Sequence, residues 1–507
     1  MDTSHQPSKF ERLRHVVGAV LGPLCALLIW FMPISGMDEA AHHLLAILSF
    51  VAIWWITEPV PIPVTSLLGP TLCVVLGVVP IEDAYSNFAN PMIFLFMGGF
   101  LLAKGMMVNG LDKRIAYGIL SMKWVGDSPR RIFLAIGLAC MLCSGWISNT
   151  ATAAMMFPIA LGLLEAIRSM MAANGKVIDL STYKYATGLM LMTAYACSIG
   201  GVLTPIGTPP NLIMLGFLDQ MCDIHISFFE WMLWGAIAMV VYFIVAYVVL
   251  SRMFPADVDR IEGAEEFIRQ RIDELGNWTR AQKNTLFAFM AAVVLWVTPG
   301  FLSMGYGSDS PILKMYDLLF PEAVAAMAGA LLLFLLPVKF SERKFTLTWK
   351  EAMEGIEWGT LILFGGGLAM GGMMYKTGLS HWVGDLIVDN MGGEPSQFAM
   401  VAVFSVMALL LSELTSHTAS TNMIGPLAIT AAVSAGMSPI PVCVGIALAS
   451  SLGFMLPVST PPNAIVYASG YIPITTMIRA GICIDFIGIA CVTIPLSIYF
   501  VTWVLGG

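Results

Sequence analysis

Thirteen apolar stretches follow one another along this chain, and few charges interrupt them. They run at about 15–32, 42–60, 62–79, 89–109, 132–166, 185–218, 228–250, 284–301, 319–338, 356–376, 397–433, 441–470 and 477–505. About 20 apolar residues in a helix cross the hydrocarbon of a bilayer. A single soluble core could not hide this much apolar surface. Of 507 residues, 58% are hydrophobic and 11% charged, where a soluble protein carries about 25% charged residues. The pattern implies an all-α polytopic membrane protein lying in the lipid bilayer. It excludes a soluble enzyme and a disordered scaffold, and the formal net charge of −8 excludes a nucleic-acid partner. The nine cysteines are scattered and read as small apolar fillers. The chain is polar from Met1 to Arg14 and its first apolar run is long, so a cleaved signal peptide is not expected.

Two stretches, 132–166 and 397–433, are too long for one crossing, and each has a polar centre, Ser144 to Thr152 and Ser412 to Asn422. A re-entrant hairpin with a buried polar tip costs less than a polar span exposed to lipid. The expectation is then eleven crossings plus two hairpins. With the N-terminus in the cytoplasm, twenty-two of the 25 Lys and Arg fall on inner segments, Lys176 among them. Lys104 can snorkel inward, and only Lys314 and Lys376 lie outside. Residues 252–283 read as a cytoplasmic amphipathic helix on the membrane surface, with Trp278 near the next span.

The chain also resembles itself. Phe96-Met97-Gly98-Gly99 aligns with Phe364-Gly365-Gly366-Gly367, a separation of 268 residues that also pairs Gly110 with Gly378, Ser144 with Ser412, Ser148 with Ser416, Thr150 with Thr418 and Pro158 with Pro426. Pro205-Ile206-Gly207-Thr208-Pro209-Pro210-Asn211 returns as Pro457-Val458-Ser459-Thr460-Pro461-Pro462-Asn463, 252 residues on. Five crossings separate the two hairpins. The number is odd, so the repeats have inverted topology, an arrangement common in secondary transporters with a site at the midplane.

Thr-Pro-Pro-Asn inside an apolar segment breaks the helix, because proline lacks an N–H and clashes with the preceding turn. Free carbonyls at such a break suit a hard cation such as Na⁺, and free N–H groups at the next helix start suit an anion. The tips add Ser148-Asn149-Thr150 with Ser144, and Ser416-His417-Thr418 with Ser412. Neither tip carries Lys or Arg. An anion there would lean on amides, hydroxyls and helix ends with cations nearby, which makes cation binding a condition for anion binding.

At these residues the chain resembles the divalent-anion/sodium symporter family, which moves di- and tricarboxylates or sulfate. The resemblance rests on Trp146-Ile147-Ser148-Asn149-Thr150-Ala151-Thr152, Ile206-Gly207-Thr208-Pro209-Pro210-Asn211, Glu413-Leu414-Thr415-Ser416-His417-Thr418 and Met455-Leu456-Pro457-Val458-Ser459-Thr460-Pro461-Pro462-Asn463, and it covers nearly the whole chain. It implies a homodimer with scaffold and moving transport domains that work as an elevator. It implies a first sodium site at Ser144, Ser148, Asn149 and Gly207, and a second at Ser412, Ser416 and Ser459. Substrate would meet Asn149, Thr150, Thr208, His417, Thr418 and Pro461. The division expected is scaffold helices at 1–125, a first transport half at 126–250, the cytoplasmic linker at 251–283, second-repeat scaffold helices at 284–395 and a second transport half at 396–507.

His417 stands where the family usually has Asn. An imidazole can keep the neutral role of an amide or carry a positive charge in place of a cation, and both readings stay open at this stage. Glu413 beside the second tip is expected to orient it, Glu58 to sit in a structural turn, and His42 and His43 at the interface. The function implied is import of a small divalent anion, C4-dicarboxylates such as succinate, malate or fumarate first, coupled to Na⁺ and with no cofactor. The alternatives are a Na⁺-independent exchanger, a proton-coupled carrier, or a sulfate or tricarboxylate carrier of the same fold. The location implied is a bacterial inner membrane. An embedded enzyme is disfavoured: HExxH and GxSxG are absent, and of seven His only His417 falls in an apolar core. The paired broken helices favour alternating access over a channel.

Overall fold

The computed structural model describes residues 9–173, 178–261, 263–307 and 309–500; Lys176 and the end of the last apolar stretch, 501–505, lie outside them. The described chain is nearly all helix. An antiparallel pairing of Pro337–Lys339 with Lys344–Phe345 is the exception among the described residues. Among the described residues eight helices are each long and apolar enough to cross a membrane, or nine if the bent pair Pro311–Leu319 and Glu322–Leu335 is one span. Other apolar stretches divide at their polar or proline-rich positions. Stretch 132–166 becomes Pro129–Ser144 and Asn149–Ala173, and 397–433 becomes Gln397–Leu414 and His417–Ser434. Stretch 185–218 becomes Lys184–Gly201 and Pro209–Cys222, and 441–470 becomes Ile440–Ser450 and Pro461–Tyr467.

Local chemistry sets these divisions and repeats them. Ser148 Oγ accepts from the Ala151 N–H at 3.3 Å, and Ser416 Oγ accepts from the Ala419 N–H at 3.2 Å. Each serine starts the second helix of its pair by satisfying an end-turn donor. Gly110 and Gly378, also matched by the repeat, take left-handed φ of 68° and 76° at the starts of the helices Leu111–Leu120 and Leu379–Asn390. A side chain there would be strained.

By packing, the chain forms two units. One contains residues 1–93, 213–225 and 358–450, and the other 94–212, 226–357 and 451–507. In the first, Leu44, Phe50 and Trp55 of the helix Glu39–Thr57 share a buried core with Met370, Met373 and Met374 of the helix Trp358–Lys376. In the second, two transmembrane helices lie with their backbones directly on the broken segments. A Cβ at Gly235 would fall 2.5 Å from the Val202 carbonyl oxygen, and one at Gly481 would fall 2.5 Å from the Phe454 carbonyl oxygen. Val202 and Phe454 are themselves 252 residues apart, so each break is crossed at the same place.

Cys140 and Cys143 have CxxC spacing, but both lie buried in the helix Pro129–Ser144. Among the described residues no group of His, Cys, Asp and Glu could hold a metal. The polar insertion folds as the helix Ala264–Leu275, which buries only Ala264 and Ile268. Arg114 donates to the carbonyls of Leu275 at 3.0 Å and Gly276 at 2.9 Å and stacks over Trp278. It closes that helix C-terminus, where a cation is favoured.

Asp112, on the amphipathic helix Leu111–Leu120, is 4% exposed, and its Oδ1 is buried without a hydrogen-bond partner. Burial pushes its carboxyl up from 3.8 to about 6, against the opposing pull of the Lys113 N–H and charge. Below the unfolded value both states hold the proton and nothing is lost. As pH rises through the unfolded value the unfolded carboxyl ionises first, so stability falls until the folded group has also ionised. A shift of this size corresponds to about 3 kcal/mol. Asp112→Asn removes the charge. It should match the wild type in thermal unfolding below pH 4 and exceed it above pH 6.5. A difference independent of pH would rule out this origin.

Candidate functional site

Both broken spans are closed by the asparagine of their Pro-Pro-Asn motif. The Asn211 side-chain amide donates to the Gly201 carbonyl at 3.1 Å and the Thr204 carbonyl at 2.8 Å. The Asn463 amide donates to the Gly453 carbonyl at 2.9 Å and the Leu456 carbonyl at 3.0 Å. The acceptors stand ten and seven residues before the asparagine in both repeats. The prolines remove backbone donors where the chain restarts, and the amide supplies two in their place. Sequence reading used these asparagines to align the repeats and gave them no role. The usable signal was a two-donor side chain directly after Pro-Pro.

Asp485, fully buried on the helix Ile474–Gly488, was also missed. Its carboxylate faces the N–H groups of Gly453 and Phe454 at 3.5 and 3.4 Å, and the Tyr195 hydroxyl donates to the Phe454 carbonyl at 2.7 Å. A carboxylate among backbone N–H groups at a helix break stabilises the unpaired donors there. Its signal was an acid inside an apolar stretch.

Around the first tip the oxygens converge. Ser144 Oγ donates to Asn149 Oδ1 at 2.6 Å, and Thr204 Oγ1 donates to the Gly145 carbonyl at 2.6 Å. A Cβ on Gly201 would lie 2.5 Å from Asn149 Oδ1 and 3.1 Å from the Gly207 carbonyl oxygen. One on Gly207 would lie 2.5 Å from the Gly201 carbonyl oxygen and 3.1 Å from that of Gly145. An amide oxygen and three carbonyl oxygens therefore crowd two positions where only glycine fits. This donor set is all oxygen, as a hard cation requires. Of the first predicted sodium set, Ser144, Asn149 and Gly207 meet in this cluster, and Ser148 starts the adjoining helix. Gly145 and Gly201 are additions that the motifs did not single out. Ser148, Asn149 and Thr150 are half-buried. Thr208 Oγ1 and Thr460 Oγ1, matched by the repeat, are each buried without a hydrogen-bond partner. Ser459 is buried and Pro461 exposed.

The second tip repeats the pattern with one change. Ser412 Oγ donates to the Ser450 carbonyl at 2.7 Å and lies 2.6 Å from His417 Nδ1. The Ser144–Asn149 and Ser412–His417 contacts have the same length and the same five-residue spacing. The imidazole Nδ1 thus sits on its serine as the amide oxygen does at the first tip. Ser420 and Thr421 hydroxyls donate to the His417 carbonyl at 3.0 and 2.7 Å, and Asn422 Nδ2 donates to the Thr418 carbonyl at 2.9 Å. Ser416 and Thr418 are half-buried. The helices Asn149–Ala173 and His417–Ser434 begin at the tips, so their first N–H groups and positive ends are available to an anion.

Residues 15–505 match the family described as the sodium:sulfate symporter transmembrane region. The chain is 34% identical over 502 residues to the sodium-dependent dicarboxylate transporter SdcS of Staphylococcus saprophyticus subsp. saprophyticus, covering 98% of this chain and 93% of that one. It is 34% identical over 490 residues to SdcS of Staphylococcus aureus strain USA300, covering 96% and 91%. The fold is similar to the crystal structure of the Alcanivorax borkumensis YdaH transporter, with a TM-score of 0.58 at 13% identity, over 97% of this chain and 98% of that one.

If the oxygen cluster binds Na⁺, the ion stabilises the folded protein by mass action. NaCl should raise the unfolding temperature of the detergent-solubilised wild type above its value in choline chloride. Gly207→Ala should abolish that difference, besides costing about 1–3 kcal/mol from overpacking. Gly118→Ala, at a position with nothing within 4 Å of the added carbon, should retain it. An equal Na⁺ response in all three proteins would mean that the cluster is packing alone.

Proposed function

The chain belongs to the sodium:sulfate symporter family, a family of membrane transporters and not enzymes, and on that footing we propose that it imports C4-dicarboxylates such as succinate, malate or fumarate together with Na⁺. The observation that carries this reading is the cluster of oxygens around Gly201 and Gly207, formed without any basic side chain. Identity to relatives named sodium-dependent dicarboxylate transporters supports the choice of substrate and ion.

Ser144, Ser148, Asn149 and Gly207 are the proposed ligands of one sodium ion, and Ser412, Ser416 and Ser459 those of a second. Asn149, Thr150, Thr208, His417, Thr418 and Pro461 are the proposed substrate contacts. A dianion held by dipoles and hydroxyls gains little until a cation lies beside it. Each ligand then raises the affinity of the other by the same factor, which is the physical basis of coupling. Residues 126–250 and 396–507 are the proposed transport halves, moving against 1–125 and 284–395, with 251–283 as a cytoplasmic linker. A homodimer is proposed, for which light scattering in detergent should read twice the 54.8 kDa chain mass.

The test is uptake of labelled succinate into proteoliposomes under an imposed Na⁺ gradient. Accumulation should require inward Na⁺ and should cease when choline replaces it. Uptake driven only by internal dicarboxylate would establish exchange instead, and uptake driven by a proton gradient a proton-coupled carrier. Sulfate or citrate uptake without succinate uptake would overturn the substrate.

The charge distribution supports a bacterial inner-membrane protein with its N-terminus in the cytoplasm. Cysteines introduced at Arg131 and Lys344 should then react with an impermeant thiol reagent only from the cytoplasmic side, and those at Asp223 and Asp389 only from outside. Labelling of positions 131 and 344 from opposite faces would break the topology.

A further inference from the structure

The two breaks match in sequence but unwind differently. The helix Lys184–Gly201 runs up to Gly201, and the next N–H, that of Val202, donates to the Ile199 carbonyl at 3.3 Å. Gly453 and Phe454 hold the same places in the repeat, 252 residues on. The helix before them, Ile440–Ser450, has already stopped at Ser450. Gly453 takes a φ of 119°, which a side chain would strain. The N–H groups of Gly453 and Phe454 therefore need acceptors from outside their own helix.

Side chains hold all four backbone groups of this pair. The two carboxylate oxygens of Asp485 face the two N–H groups at 3.5 and 3.4 Å. The Asn463 amide donates to the Gly453 carbonyl at 2.9 Å, and the Tyr195 hydroxyl donates to the Phe454 carbonyl at 2.7 Å. The Tyr195 ring also packs on that of Phe454, with centroids 4.4 Å apart. At the first break the Trp231 indole N–H donates to the Val202 carbonyl at 3.2 Å, and the helix itself serves the Val202 N–H. Five residues beyond Phe454 stands Ser459, which is buried. A segment that has left its helix keeps one course only where other groups fix it. We propose that Asp485 and Tyr195 are positioning residues that set the affinity for Na⁺, by fixing the course of the second break ahead of Ser459. This rests on the reading that Ser459 is a ligand of the second ion.

Apparent affinity falls with the fraction of molecules whose site is assembled, so a loosened segment weakens Na⁺ binding. Excess Na⁺ draws the segment back, and the affinity for dicarboxylate then returns. Asp485→Asn sets an amide donor against one of the two backbone donors. Tyr195→Phe keeps the ring on Phe454 and removes only the hydroxyl. The experiment measures initial succinate uptake into proteoliposomes against Na⁺ concentration. In each variant the Na⁺ concentration for half-maximal uptake should rise roughly threefold to tenfold, the effect of one lost hydrogen bond. The succinate KM at saturating Na⁺ should equal that of the wild type. A merely structural defect would lower the maximal rate with the half-saturating Na⁺ unchanged, and that result overturns the inference. An unchanged half-saturating Na⁺ in Tyr195→Phe overturns it even where Asp485→Asn fails to fold. Ser459→Ala separates the inference from the reading beneath it. A rise in half-saturating Na⁺ in Ser459→Ala alone leaves that reading standing and overturns the inference. An unchanged value in Ser459→Ala overturns the reading of the second ion itself.

Discussion

A backbone interrupted inside a bilayer leaves carbonyls and N–H groups that lipid cannot satisfy. Most of this structure's unusual features answer that problem. Two asparagine amides each hold a pair of the freed carbonyls. Asp485 faces two of the freed N–H groups. Gly235 and Gly481 let neighbouring helices lie directly against the breaks, which keeps lipid and water from the exposed backbone. Around the first break the carbonyls of Gly145, Gly201 and Gly207 and the Asn149 side chain converge in an oxygen cluster, and the oxygens of Gly145, Gly201 and Asn149 each accept one hydrogen bond and keep a second lone pair. The proposed cation site uses the lone pairs that those hydrogen bonds leave over.

The internal repeat explains why this solution appears twice. Matched serines cap the tip helices, matched glycines turn left-handed, and matched asparagines close the breaks. The two halves nonetheless differ at two matched positions. Gly207 is answered by Ser459, which adds a hydroxyl where the first break offers only carbonyl. Asn149 is answered by His417, which exchanges an amide oxygen for an imidazole nitrogen against the same kind of serine. Neither change disturbs the helix starts, because the capping serines are untouched. Departures at these positions can alter ligand chemistry while leaving the fold as it is.

Much of this was legible in the sequence because the controlling signals are local. Long apolar runs fix spans, and Pro-Pro inside one fixes a break. A polar triplet in the middle of an overlong run fixes a tip. The fixed separation between the motifs carried the repeat without any structure. Two kinds of residue were not legible. Gly145 and Gly201 contribute through backbone atoms, and nothing distinguishes a glycine that shapes an oxygen cluster from the many others that ease helix packing. Asn211 and Asn463 were visible as motif members, but their task depends on carbonyls ten and seven residues back, and the path of the chain through the break decides it. The partner of Ser412 was hidden for the same reason: its hydroxyl donates to the Ser450 carbonyl, thirty-eight residues away, which no local pattern joins to the tip.

Coupling, in this view, comes from an anion site that lacks fixed positive charge. On the proposed assignment, helix ends and hydroxyls hold a carboxylate weakly alone, and Na⁺ provides the charge that completes the site. That dependence is open to direct measurement in the purified, detergent-solubilised wild type by calorimetric titration of malate in NaCl and in equimolar choline chloride. The expected result is saturable binding in NaCl and no measurable binding in choline, with the apparent affinity rising as Na⁺ is raised. Malate binding of equal affinity in both salts would contradict it, because the anion site would then be complete without the cation.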